Sequence, residues 1–171
     1  VNMSIGQGFT LATPLQVARM FAAIANGGYL VKPHLIKDGG DVQKWRTPLN
    51  LKPETLKTIQ AGLRAVVAEG TARRLDVPYL PHIGGKSGTA EAPPGKSHTW
   101  FGGYAPFNKP EIVVLAFVEH SGGGGGSTAG PIVLQVLETY FKAGPRYEKK
   151  EDKKKPTTGT QTTVQPPVRN R

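Results

Sequence analysis

The sequence contains no cysteine. A disulfide framework, a thiolate metal site and a cysteine nucleophile are thereby excluded. Its four histidines, His34, His82, His98 and His120, show no H-x-x-x-H spacing, so no metal site is expected. No stretch approaches the roughly 18 uninterrupted apolar residues of a membrane span. No signal peptide is recognisable, and the first residue is Val1, so the start reads as a truncation or a processing product. Serine is scarce as well. Ser4, Ser87, Ser97, Ser121 and Ser127 are the five present, and none sits in a G-x-S-x-G elbow. The 12 acids are scattered, with no pair spaced as a glycosidase-like dyad.

What is present is basic. Against those 12 acids stand 22 Lys and Arg, a formal net charge of +10. Residues 145–171 hold eight Lys or Arg and three acids, and residues 1–144 hold 14 and nine, so each part carries +5. A charge of +5 spread over the body is not the footprint of a nucleic-acid binder, whose basic residues should cluster on one element. It suits a site that attracts an anionic substrate. The segment 145–171 is Lys-rich, then Thr/Gln/Pro-rich, and offers too little apolar surface to offset ordering. It is expected to be a disordered basic tail on a single domain spanning 1–144. A solvated C-terminus or nonspecific binding to anionic lipid or nucleic acid would each suit such a tail.

Within the body, a helix is expected over about 13–26. Thr13 and Gln16 form a T-x-x-Q capping box, Pro14 sits where its missing N–H costs nothing, and Asn26-Gly27-Gly28 ends the turn. Apolar residues on nearly all sides predict a buried helix. Tyr29 to Ile36 reads as an edge strand, demoted by Pro33. Asp38–Asp41 is a turn, and Val42–Arg46 a possible returning strand. A second helix runs from about Pro53 to Glu69, with a stripe of Leu56, Ile59, Leu63, Val66 and Val67 closed by Gly70. Three strands follow, Ile83–Glu91, Thr99–Ala105 and Ile112–Glu119. Their short connections imply antiparallel neighbours. The last does not alternate and should be covered on both faces. A five-glycine loop, Gly122–Gly126, then leads to a helix over about 131–142, with Ile132, Val133, Val136, Leu137, Tyr140 and Phe141 as its stripe. The fold class is therefore α/β, an antiparallel sheet flanked by helices.

Most glycine-rich stretches carry no chemistry. A phosphate loop needs Lys where Ser127 stands, so the five glycines read as a flexible turn. Gly6-Gln7-Gly8 lacks both the third glycine and the preceding strand of a dinucleotide loop. One motif survives, Lys86-Ser87-Gly88-Thr89 at the start of a strand. An ammonium, a neighbouring hydroxyl and a side-chain-free glycine make a carboxylate cradle beside an open backbone edge.

With Ser4-Ile5-Gly6-Gln7-Gly8, Thr13-Pro14-Leu15-Gln16, Ala23–Gly28, Trp100–Pro106 and the Glu119–Pro131 glycine loop, this motif resembles the class B, elongation-type penicillin-binding proteins of the penicillin-binding protein 2 type. The likeness covers residues 1 to about 142, the C-terminal part of a serine D,D-transpeptidase (β-lactamase-like) domain. The resemblance implies a peptidoglycan cross-linking enzyme. Its serine attacks a D-Ala–D-Ala bond of one stem peptide, forms an acyl-enzyme and passes the acyl group to a neighbouring stem; penicillins and other β-lactams acylate the same serine. No cofactor is implied. Lys86, Ser87 and Gly88 would bind the substrate carboxylate, and the Thr89 N–H would serve the oxyanion hole. Gln7 matches a residue at the active-site rim, and a loop residue capping backbone groups would look the same. Trp100, opening the next strand, reads as core packing. The family's motifs are S-x-x-K, S-D-N and K-T-G. Only the third is here, in a Ser form, because none of the five serines has Lys three residues on or Asn two residues on. The nucleophile is expected upstream of Val1, in a parent anchored in the bacterial cytoplasmic membrane, acting on its outer side within a wall-synthesis complex. A non-catalytic interaction module and a β-lactam sensor or β-lactamase relative are the alternatives.

Overall fold

The computed structural model describes Gly8, residues 11–35 and residues 42–147. The expectations for Gln7, the 38–41 turn and most of the tail, 148–171, lie outside those residues. Helix α1 spans Pro14–Ala25. Its capping box is formed: the Thr13 N–H donates to Gln16 Oε1 at 2.8 Å, and the Gln16 N–H donates to Thr13 Oγ1 at 3.3 Å. Gly27 and Gly28, at φ +86° and +96°, turn the chain out of the helix. The helix is not buried all round, as its apolar composition predicted. Only Phe21 and Ala23 are buried, while Leu15 and Met20 remain 57% and 50% exposed. The reason is geometric: a single side, Val17, Phe21 and Ile24, meets the sheet.

Strand β1 is only Tyr29–Val31, and β2 is Arg46–Pro48. The expected second strand at 42–46 is displaced because Val42–Trp45 forms a 3-10 turn. The two short strands pair antiparallel, with Tyr29 opposite Pro48. Helix α2, Pro53–Ala68, buries Leu56, Leu63 and Val67. It is followed by a 3-10 turn, Arg73–Leu75, anchored by the buried side chains of Ala72 and Leu75.

The main sheet contains β3 (Gly84–Ala90), β4 (His98–Ala105) and β5 (Ile112–Val118), antiparallel and in the order β3-β4-β5. Alternation divides its side chains between two layers. Phe101, Ala105 and Ala116 join Val67, Leu75, Ile83, Val133 and Leu137 in the larger core. Tyr104, Val113 and Leu115 join Phe21, Leu63, Val17 and Ile24 in the smaller one. Strand β5 is thus covered on both faces, as its continuous apolar run requires. A π-helical turn, Gly125–Ala129, leads into helix α3, Gly130–Phe141. The predicted α3 stripe divides. Val133 and Leu137 are buried, whereas Ile132, Val136 and Tyr140 are 41–49% exposed.

Candidate active site

The site is built on β3. Its seven residues run in register with β4, Lys86 opposite Gly102, Ser87 opposite Phe101, Gly88 opposite Trp100 and Thr89 opposite Thr99. Strand β3 ends the sheet, so among the described residues its second edge has no partner strand. An unpaired edge presents N–H and C=O groups to an incoming extended chain. Successive side chains leave a strand on opposite faces. Lys86 and Gly88 therefore share one face, and Ser87 and Thr89 the other. Lys86 is exposed, and its ammonium curls back to donate to the Ser87 carbonyl oxygen. The Ser87 hydroxyl turns instead toward the end of α2, where it lies 2.7 Å from the Thr71 hydroxyl. The two sides of the expected cradle thus flank the open edge of β3, one on each face of the sheet. The charge and the hydroxyl are joined through the backbone of Ser87.

Two supports fix this strand, and the sequence reading found neither. Gly125 and Gly126 are buried, so the end of the five-glycine segment, read from the sequence as a flexible turn, is packed against the sheet. A Cβ on Gly126 would lie 2.3 Å from the Thr71 carbonyl oxygen, and Gly125 approaches the β3 and β4 backbones equally closely. Only glycine allows such an approach. The second support is ionic. Arg64 of α2 donates to both carboxylate oxygens of Asp76, at 2.9 and 2.8 Å, and through its other nitrogen to the Ile83 carbonyl at 3.3 Å. That carbonyl immediately precedes β3. The Arg64 guanidinium, by hydrogen bonding and then by charge, holds the Asp76 carboxyl below its ordinary range, against the opposing effect of partial burial. Trp100 is half-buried, its ring 4.1 Å from that of Phe117, which fits the packing role read from the sequence.

The model of the penicillin binding protein transpeptidase domain matches residues 1–138. The chain belongs to this family. Among curated relatives of this family, the peptidoglycan D,D-transpeptidase MrdA of Haemophilus influenzae is 32% identical over 87% of the chain. The crystal structure of Pseudomonas aeruginosa PBP2 in complex with WCK 5153 superimposes on 81% of the chain with a TM-score of 0.71 at 37% identity. Helicobacter pylori PBP2, solved in complex with MreC, matches 82% with a TM-score of 0.70 at 27% identity. The chain spans only 27% of the H. influenzae relative, and 31% and 26% of the two solved chains. The mixed helix and antiparallel sheet fold is therefore that of the penicillin-binding protein transpeptidases.

Besides the Arg64–Asp76 pair, two features of this family member escaped sequence reasoning. Thr71 lies 16 residues before Ser87, directly after the Gly70 that closes α2, and only the fold brings their hydroxyls together. The Gly-Thr pair at a helix stop was the one available signal. The packing role of Gly125 had a signal that was misread, since a run of glycines is as consistent with close approach as with mobility.

Proposed function

We propose that this chain is part of the catalytic domain of a bacterial peptidoglycan D,D-transpeptidase of the penicillin-binding protein 2 type, with residues 1–144 as the domain portion and 145–171 as a basic tail. The single observation that carries the reading is the position of Lys86-Ser87-Gly88-Thr89 on an edge strand with one side unpaired among the described residues. A stem peptide ending in D-Ala-D-Ala adds to that edge as an extended strand. Ser87 hydrogen-bonds its terminal carboxylate, Lys86 supplies the charge, and Gly88 lets the peptide backbone come close. The Thr89 N–H stabilises the oxyanion, an interaction worth about 3 kcal/mol of barrier in such sites. The acylated serine belongs to the longer protein, because the chain has no S-x-x-K. No cofactor takes part. β-Lactams compete for the same edge. Kinship to MrdA and to a PBP2 solved with MreC supports a place in the cell envelope, within a wall-synthesis complex anchored at the cytoplasmic membrane.

Intact-mass measurement after incubation with excess penicillin tests this reading. The full-length protein gains one acyl adduct, and residues 1–171 alone gain none. A folded full-length protein without an adduct, or a stoichiometric adduct on the short chain, overturns it.

A further inference from the structure

We propose that His98, the first residue of β4, is a positioning residue for the site on β3, because its ring holds the entry of the loop that seats against Gly88. The inference rests on the transpeptidase reading and adds to it a residue that acts through the loop rather than on the substrate.

The chain leaves β5 through His120, whose φ of +46° lies in the left-handed region that side chains rarely adopt. Such a backbone persists only where its surroundings fix it. Here the start of β4 does so. The His120 N–H donates to His98 Nδ1 at 3.0 Å, and His120 Nδ1 lies 3.0 Å from the Lys96 carbonyl oxygen. The Gly122 N–H donates to the Ser97 carbonyl at 3.1 Å, and the Thr99 and Ser121 hydroxyls lie 2.8 Å apart. Residues 96–99 are thus laced to residues 120–122.

These bonds assign the protons. A carbonyl only accepts, so His120 carries a proton on Nδ1. His98 Nδ1 accepts from a backbone N–H, so His98 is the neutral imidazole with its proton on Nε2. Its ring is held in that orientation by the His120 ring at 4.5 Å and, edge-on, by the Phe117 ring at 5.4 Å. The turn between β3 and β4 closes over this arrangement, since a Cβ on Gly95 would lie 2.5 Å from His120 Nδ1.

What the lacing holds is the entry to the glycine loop. Further along that loop, Gly125 presses on the backbone nitrogen and carbonyl oxygen of Gly88. Gly88 lies between Ser87, which takes the carboxylate, and Thr89, whose N–H serves the oxyanion. A loop displaced at its entry therefore shifts Gly88 and turns the Thr89 N–H relative to Ser87. The carboxylate-binding side chains precede the seat of the loop on β3. The cost of releasing it falls on alignment of the scissile carbonyl rather than on binding.

Penicillin acylation of the full-length protein tests the inference with His98→Asn and His98→Gln. The Asn amide oxygen can stand where Nδ1 accepts. The longer Gln carries its amide to the place of Nε2 and leaves the His120 N–H without its acceptor. The Gln variant is expected to acylate about tenfold more slowly at saturating penicillin, with the half-saturating concentration within about twofold of wild type. The Asn variant keeps the wild-type rate. Amide hydrogen exchange over residues 84–90, followed by mass in the same preparations, accelerates in the Gln variant alone. An unchanged limiting rate in the Gln variant, a loss that Asn does not recover, or a loss confined to half-saturation overturns the proposal. Ser121→Ala withdraws the partner of the Thr99 hydroxyl and leaves His98 in place. It should move rate and exchange in the same direction, and wild-type values there overturn the proposal even if the Gln variant does not fold. A wild-type protein that forms no acyl adduct overturns the transpeptidase reading instead. Exchange over residues 84–90 then decides this one, and equal exchange in wild type and the folded variants overturns it.

Discussion

A Cβ placed on Gly125 would lie 2.7 Å from the backbone nitrogen of Gly88, 2.6 Å from its carbonyl oxygen and 2.4 Å from that of Trp100. The glycine loop therefore seats directly on the strand that carries the candidate site. None of the three neighbours is the tip of a flexible side chain, so a methyl group must displace β3 or the loop. Gly125→Ala should cost about 1–3 kcal/mol, the usual price of overpacking. Gly124→Ala is the control, since its Cβ would meet only the Ser127 hydroxyl, at 3.3 Å. It should stay within about 0.5 kcal/mol. Urea unfolding of the full-length protein measures both, and equal stability of the two variants would refute the close-packed loop.

The Arg64–Asp76 pair gives a pH signature. Asp76 has a depressed carboxyl pKa in the fold, so its contribution is fully present above the unfolded value of about 4. It is lost as the pH falls through the folded value. Asp76→Asn should therefore lose about 1–2 kcal/mol near neutrality. The stability curves of wild type and variant should converge in strong acid. A constant gap at every pH would mean that the carboxylate charge contributes nothing.

Tyr104 offers the opposite case. Its ring is 0% exposed, and its hydroxyl has no hydrogen-bond partner among the described residues. Desolvation pushes its pKa up to about 12. An acid whose pKa is raised by folding favours the native state below the unfolded value of about 10, and the advantage disappears as pH rises through the folded value. Tyr104→Phe removes an unsatisfied hydroxyl while keeping the ring, so it should be neutral or stabilising by up to about 1 kcal/mol. It should also flatten the decline in stability between about pH 10 and pH 12. A loss above about 1 kcal/mol in denaturant titration would show that the hydroxyl has a partner.

How much of this was readable beforehand follows the range of the interaction. Thr13 and Gln16 announce α1 because their capping bonds are local, and both formed. The run Ile112–Val118 announces a strand covered on both faces because burial on two sides leaves no alternation. The exposure of Leu15, Met20, Ile132, Val136 and Tyr140 could not be read, since apolar composition does not say which neighbours the fold supplies. The strand after Tyr29 was overextended because Pro33 and the 3-10 turn at 42–45 both interrupt pairing. At the site, Lys86-Ser87-Gly88 was visible as a motif. That its two sides flank the open edge follows from strand geometry, but the Thr71 contact depends on where α2 ends in space.

Lys86 is where the site assignment is most exposed to failure. Its side chain lies on the surface of β3 and, among the described residues, donates only to the neighbouring Ser87 carbonyl, so it contributes little to the fold. Lys86→Gln should change stability by no more than about 0.5 kcal/mol. A lysine that serves only as a solvated surface charge would also leave acylation unchanged. A lysine that charges the carboxylate cradle is different. Losing a charge-assisted interaction of roughly 1.5–3 kcal/mol should slow penicillin acylation of the full-length protein about tenfold to a hundredfold. Part of that loss falls on binding and part on the alignment of the scissile carbonyl with the oxyanion donors. Lys86→Arg should recover only a fraction, because a planar fork replaces a compact charge that must fit between the strand and the bound carboxylate. The measurement is the second-order acylation rate of wild type and both variants, with circular dichroism confirming the fold. Equal rates in well-folded proteins would return Lys86 to a surface role and leave the carboxylate to Ser87.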